Sequence, residues 1–491
     1  MEQLEDVIKI TDTPTGLLIT AIFMLIGVAN LYFFVWGQIA VSHRWGSFKL
    51  IPFLAISTLA VSLALAMSVL MGGLSSERVL LGLSTGAGIA ISLVHPVVAV
   101  SFSLLCFILR PWEYLPDAVG MTILPKGIIA VCVASWLFWC MRSMRLRLLW
   151  NGSFSLFLFY IVWMIIAALC GGSAEQSWSF FCEQFIPIIA SAFLIFNSIN
   201  NKFELRVVEV SMIIAVLGIT VAAEVFTVTT PEIERLTGGT LLGNSNDLAS
   251  FIVMVLPFLF SSIKKYTIYD WPIVLIVAAT LIYGIVLADS RSAKLAVILM
   301  MVAYAVLNLK LTPFRIIMAG TVGVLVLCLL MRTSRSSDDL DMSSSSRLNY
   351  IVAGVNMVKQ NPLFGVGLGN YPNEYEHYTS NFDEFGLRTA HSSWVLIMSE
   401  TGVFGLMAFS ILFLIALRKM WRMRHFRVVY LISAIGYGFM MSTLSHSYLI
   451  FPYILLALVS AAYNIFVQEA GIALKTGGKI RVTVRSVKEV E

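Results

Sequence analysis

An all-α polytopic membrane protein is the fold class the sequence predicts, with about 12 to 15 transmembrane helices and one large outer loop containing an amphipathic helix. Three observations predict it. Of 491 residues, 58% are hydrophobic and 12% charged, against about 25% charged in an average globular chain, so the apolar side chains cannot all hide in one water-soluble core. Apolar runs of membrane-spanning length, roughly 20 residues, recur along almost the whole chain. Basic residues fall on alternate connections between those runs, as short cytoplasmic loops require. This composition excludes a disordered chain, a coiled coil and an ordinary soluble enzyme. Lys+Arg 33 against Asp+Glu 28 gives a net charge of +5, too small and dispersed for a nucleic-acid face, so no nucleic-acid partner is expected.

The first fifteen residues carry Glu2, Glu5, Asp6 and Asp12 with a single Lys, unlike a cleaved signal peptide, so the N-terminus is expected to be retained. Spans are then expected at 17–41, 50–71, 124–141, 153–171, 178–197, 205–224, 246–263, 271–288, 291–309, 312–331, 392–417, 427–446 and 447–467. Residues 79–109 are too long for one helix and short for two, with His95-Pro96 interrupting them. The basic groups His43-Arg44, Arg142 to Arg147, Lys202 with Arg206, Lys264-Lys265, Lys310 with Arg315, and Arg418 to Arg427 assign their connections to the cytoplasm. The intervening connections 171–177, 228–245 and 332–391 therefore face outward, and the basic tail from Lys475 faces inward. Six cysteines, at 106, 132, 140, 170, 182 and 328, form no CxxC pair; Cys170 and Cys182 flank one turn and are the pair a disulfide would join.

The outer loop 332–391 is far longer than ordinary connections, and such loops are functional or disordered. Ser334 to Ser346 is Ser- and Asp-rich and is expected to be flexible. From Arg347 to Gln360, Leu348, Ile351, Val352, Val355 and Val358 recur at helical spacing, predicting an amphipathic helix suited to a membrane surface. Asn361-Pro362 ends it, and Gly365, Gly367 and Gly369 suit tight turns. The chain shows no internal repeat of the kind found in many transporters.

Several residues can carry chemistry. Ala288-Asp289-Ser290-Arg291-Ser292-Ala293-Lys294 places two cations at the outer surface, where the orientation rule disfavours them. A solvated turn with Asp289 neutralising Arg291 is one reading. Anion capture is the other, since Arg offers a planar fork to phosphate oxygens and intramembrane charge tends to be functional. Asn244-Ser245-Asn246-Asp247 opens another span, where Asn246 or Ser245 caps the helix; its free N–H groups also suit a phosphate or sugar, which makes Asn244 and Asn246 candidate ligands. His391 closes the large loop just before Ser392-Ser393-Trp394, at the aqueous edge of the next helix, as an interfacial side chain or as a general base. Arg388, just upstream, joins the candidate substrate-binding groups. His95, His377 and His446 lack comparable neighbours, and His43 and His425 fall on the inner side. Gly365-x-Gly367-x-Gly369 follows a helix and lacks dinucleotide-loop spacing. Asp339-Leu340-Asp341 has a metal-binding form but too few converging oxygens. No metal and no cofactor is expected.

Taken together these segments resemble the O-antigen ligase and polysaccharide polymerase superfamily of bacterial inner-membrane glycosyltransferases. The resemblance is strongest over 238–417. It rests on Gly243-Asn244-Ser245-Asn246-Asp247-Leu248-Ala249 with Pro257, on Ser290-Arg291-Ser292, and on Arg347-Leu348. It continues through Asn361-Pro362-Leu363-Phe364-Gly365-Val366-Gly367-Leu368-Gly369-Asn370-Tyr371, then Ala390-His391-Ser392-Ser393-Trp394 and Glu400-Thr401-Gly402-Val403-Phe404-Gly405. Arg110-Pro111-Trp112-Glu113-Tyr114 is similar to an N-terminal motif of some relatives. Ser292 stands where a small residue such as Gly is common, and Ser392 where Asn is common.

The resemblance implies a multi-helix C-type glycosyltransferase fold that takes a glycan from undecaprenyl pyrophosphate at the periplasmic face without a metal. Arg291 would bind the pyrophosphate, His391 would activate the acceptor hydroxyl, and Arg347 would be a second cation; Lys294, Arg388, Asn244 and Asn246 complete the substrate-binding set. The implied partners are that lipid-linked donor, a glycan or lipid A core acceptor, membrane lipids and a chain-length regulator. Protein O-oligosaccharyl transfer, and a non-enzymatic transporter or flippase of lipid-linked glycan, are the alternatives. Expected segments are N-terminal transmembrane helices at 1–237, a ligase-like catalytic region at 238–417, C-terminal transmembrane helices at 418–467 and a basic cytoplasmic tail at 468–491.

Overall fold

The computed structural model describes residues 14–41, 75–113, 124–143, 152–229, 245–261, 268, 270–308, 337–380 and 389–475. The spans expected at 50–71 and 312–331, together with Asn244, Cys328 and Arg388, lie outside them. All regular structure among the described residues is helical. Among the described residues, seven helices are long and apolar enough to cross a membrane: Leu124–Arg142, Ser153–Cys170, Ala174–Ser198, Lys202–Val225, Asp270–Leu287, Ser393–Arg422 and Ile450–Gly471. Leu17–Tyr32, Pro96–Leu109 and Ser245–Phe260 are shorter apolar helices. The chain is an all-α polytopic membrane protein.

Packing divides the chain into two discontinuous units, Met1–Arg147 with Asn197–Ser290, and Leu148–Phe196 with Arg291–Glu491. The first unit holds α1 (Pro14–Val41), α2 (Ser76–Ser92), α3 (Pro96–Leu109) and α4 (Leu124–Ser143), and the stretch 79–109 is thus two helices. They separate where sequence logic allows: Pro96 sits at the first helical position of α3, and the His95 imidazole accepts the Val97 N–H as its cap at 3.2 Å. The second unit contributes α5 (Gly152–Cys170), α6 (Ala174–Phe180), a π turn Phe181–Phe185 and α7 (Ile186–Ser198), whose last two residues pass into the first unit.

The chain then returns to the first unit with α8 (Lys202–Thr229), α9 (Ser245–Val255) and α10 (Asp270–Leu287). Asn201 starts α8 by accepting the Phe203 and Glu204 N–H groups at 3.0 and 2.9 Å, while the Glu204 carboxylate reaches back to the Asn200 N–H at 2.7 Å. Buried residues make up 72% of the apolar stretch of α8 but 28% of that of α10, so α8 is the inner pillar, packed by α1 and α3, and α10 is largely exposed.

The second unit continues with α11 (Arg291–Asn308), α12 (Ser337–Gln360), α13 (Tyr371–Tyr378), α14 (Ser393–Arg422), α15 (Arg424–Met441) and α16 (Ile450–Lys475). α14 is its axis, contacting α5, α12, α15 and α16, and α11 lies along α15. One expectation is corrected here. Helix α12 begins at Ser337, inside the segment expected to be flexible, and its later turns dock on α14. Helix α12 has two distinct faces. Tyr350, Ala353 and Met357 are buried, whereas Leu348, Ile351 and Val352 remain exposed, so small and aromatic residues that break the aliphatic pattern form the docking face. The thiols of Cys170 and Cys182 are both free.

Candidate active site

Ser392, in extended conformation, precedes the first turn of α14, and its carbonyl accepts the Leu396 N–H at 2.9 Å. Immediately before it, His391 has φ 47, a left-handed conformation that an L residue adopts at a cost of about 1–3 kcal/mol. The surroundings hold it there. Ala390 on one side is fully buried and Ser392 on the other nearly so, while the imidazole is half-exposed. Its ring stacks on Tyr350 of α12 at 5.3 Å between centroids and 29° between planes.

Tyr350 is fixed in turn. Its ring meets Tyr375 edge-on at 5.6 Å, Tyr375 stacks with Tyr371, and the Tyr371 hydroxyl donates to the Tyr350 carbonyl. Burial, with Tyr375, Glu400 and Tyr350 close by, raises the Tyr371 phenol far above its ordinary value, so it stays a donor. These tyrosines belong to one buried cluster with Ala353, Met357, Val366, Ala390 and Leu396.

A carboxylate anchors the cluster to the span. Glu400 of α14 accepts the Gly369 N–H at 2.9 Å and the Tyr371 N–H at 2.8 Å, and the Tyr448 phenol lies beside it. The helix breaks just beyond, at Gly402 with φ 72, which leaves α14 carbonyls free for other donors. The Ser399 carbonyl accepts the Val366 N–H at 2.9 Å and the Glu400 carbonyl the Gly367 N–H at 3.1 Å, while the Val403 N–H donates to the Pro362 carbonyl at 3.0 Å. Gly365, Gly367 and Gly369 take φ of 69, 93 and 73, the turns expected of them. The loop is thus hydrogen-bonded into a gap in the helix rather than laid on its surface.

A second histidine borders the start of α14. The Ser393 hydroxyl donates to the Leu444 carbonyl at 2.7 Å and accepts the His446 N–H at 2.9 Å, and the buried His446 ring faces the Tyr437 hydroxyl at 3.1 Å. His446 therefore does have polar neighbours, contrary to expectation.

Arg347 is half-exposed one turn before Tyr350, so both project from the side of α12 that meets His391. Arg291 is the first residue of α11 and half-exposed, whereas Lys294, one turn on, is wholly buried. Both share the second unit with His391, and α15 contacts both α11 and α14. Asn246, half-buried in the first turn of α9, belongs to the first unit. Arg110 forms the left-handed cap of α3 with its guanidinium 5.7 Å from the Trp112 ring, a structural use of that motif. Among the described residues no three His, Cys, Asp or Glu side chains converge as metal ligands would.

Tyr350, Tyr371, Glu400 and His446 were given no role from sequence. Glu400 offered a signal, being an acid inside an apolar span; the tyrosines offered none, since their partners lie in another helix.

No curated protein matches the chain. A family model does match it, over residues 276–410, from within α10 to the second half of α14. That stretch contains Arg291, Arg347, His391 and Glu400 together. The model is Wzy_C, described as O-antigen ligase, so this stretch of the chain is similar to that family.

Proposed function

We propose that the protein is a glycosyltransferase that moves an undecaprenyl-pyrophosphate-linked glycan onto a sugar hydroxyl at the periplasmic face of a bacterial inner membrane. The observation that carries this reading is the stacking of His391 on Tyr350, one turn from Arg347 and inside the segment matched to the ligase family. The acceptor oxygen attacks the anomeric carbon and its proton passes to His391. The bond from that carbon to the phosphate oxygen breaks, and undecaprenyl diphosphate leaves. Negative charge grows on the departing phosphate, so pre-placed guanidinium groups favour the transition state over the ground state. Arg291 and Arg347 fill that role, and Arg388 binds the glycan or its phosphates. Ligase and polymerase share this donor chemistry and differ in whether lipid A core or a second lipid-linked chain supplies the hydroxyl.

The test is release of undecaprenyl diphosphate by the purified full-length protein given a lipid-diphosphate glycan and sugar acceptors, with EDTA and without nucleotide. Turnover is expected under these conditions, with a loss of about 10²-fold or more in His391→Ala and a comparable loss in Arg291→Ala. A flippase would release no lipid diphosphate. Normal turnover in both folded variants would overturn the site, and dependence on a divalent metal would overturn the mechanism.

A further inference from the structure

We propose that the second unit carries a separate lipid site at the far end of α14, which takes an acyl chain of an anionic phospholipid in an aromatic cleft and its phosphate at Lys419. α5, α7, α14 and α16 surround a half-open cleft with about 510 Å³ of empty space, part of it open to the surroundings. Its walls are apolar and flat. Phe154 stacks on Phe196 at 5.8 Å and 7° and leans on Phe193 at 6.0 Å, while Ala192, Ala416 and Ala457 leave the volume that larger side chains would fill. An extended hydrocarbon chain suits such a trough, since it gains dispersion contacts along its length without needing a polar partner.

One end of the cleft is polar. Ser460 lines it and accepts a hydrogen bond from the Lys419 ammonium at 3.2 Å. Ser153 also lines it, and its hydroxyl is buried without a hydrogen-bond partner. Lys419 lies one turn beyond Ala416, with its ammonium 5.6 Å from the Tyr463 ring, whose hydroxyl Arg422 contacts at 3.4 Å. Among the described residues the partners of Lys419 are thus a hydroxyl and a ring, and its charge is left for an external anion. A phosphodiester at the end of an acyl chain supplies that anion at the required place.

The position selects a bulk phospholipid over the prenyl donor. Lys419 lies 17 residues beyond the break in α14 at Gly402, roughly 25 Å of helix, among Arg418, Arg422 and Arg424. The positive-inside rule sends that basic end to the cytoplasm, so the cleft opens in the leaflet facing away from the candidate active site.

Native mass spectrometry of the full-length protein in neutral detergent, with equimolar phosphatidylglycerol and phosphatidylcholine of matched chains, tests this. One retained phosphatidylglycerol is expected, preferred by about fivefold or more, the effect of roughly one basic group at a membrane surface. Lys419→Gln, which removes the charge, is expected to abolish the preference but keep lipid binding. Leu456→Trp, from the half-buried edge of the cleft, is expected to expel the lipid. Equal retention of both lipids by the wild type, an unchanged preference in Lys419→Gln, or displacement by undecaprenyl phosphate would each overturn the proposal.

Discussion

At the scale of single residues, the candidate site depends on groups that never touch a substrate. Glu400 offers two carboxylate oxygens to two different backbone N–H groups, on Gly369 and Tyr371, and hydrogen bonds to a charged acceptor contribute about 1.5–3 kcal/mol each. Glutamine keeps one acceptor oxygen and turns an NH₂ toward the other donor. Glu400→Gln is therefore expected to cost about 1–3 kcal/mol and Glu400→Ala roughly twice that, since both buried donors lose their partner. Thermal unfolding in detergent checks the order, and an alanine variant as stable as the wild type would contradict the anchoring role. Tyr350 differs because its contribution is a ring face. The contact with His391 is ring to ring, and the hydrogen bond from Tyr371 goes to the Tyr350 backbone. Tyr350→Phe is expected to retain turnover, whereas Tyr350→Leu loses about two- to tenfold, the value of one aromatic stack of about 0.5–1.5 kcal/mol. Equal activity in the two variants would show that the stack does not position the imidazole.

At the scale of elements, the break in α14 links membrane span to outer loop. An uninterrupted helix would satisfy its own carbonyls and offer the loop nothing but side chains. Gly402 interrupts it, and a Cβ there would lie 2.0 Å from the Leu363 carbonyl oxygen and 2.7 Å from that of Pro362. Gly402→Ala therefore combines the left-handed penalty of about 1–2 kcal/mol with a clash against backbone that cannot move aside. The expected outcome is a loop detached from the span, read as rapid protease cleavage between Asn361 and Tyr371 and loss of transfer. Wild-type protection in that variant would show that the break is incidental. The sequence displayed the turn glycines clearly, because Gly365, Gly367 and Gly369 stand close together in a polar loop. Gly402 stands alone in an apolar run that has the length and composition of an ordinary span, and only the loop packed into the gap reveals its use. The docking face of α12 was hidden for a related reason: periodicity shows where aliphatic residues recur, and they recur on the exposed side.

At the scale of the whole molecule, helical class and membrane character follow from composition because solvation acts on every residue at once. The grouping of helices was less legible. The unit holding His391 is assembled from chain segments on both sides of α8 to α10, and pairings of such long sequence separation leave no local trace. Orientation is the remaining global property, and it decides whether the lipid-linked donor and His391 share a compartment. Beyond its break at Gly402, helix α14 runs on to Arg422, roughly 30 Å of helix against a hydrocarbon thickness of about 30 Å, enough for its two ends to emerge on opposite faces. Glu376 on the loop side and His425 beyond the far end are both exposed. Basic residues crowd the His425 end, at Arg418, Lys419, Arg422 and Arg424, and the positive-inside rule sends that end to the cytoplasm. In a background with Cys170, Cys182 and Cys328 replaced by serine, Glu376→Cys is expected to react with an impermeant maleimide in cells whose inner membrane is intact. His425→Cys is expected to react only after that membrane is opened. The reverse pattern would place His391 in the cytoplasm, where nucleotide sugars are available, and the case for a lipid-diphosphate donor would fail with it.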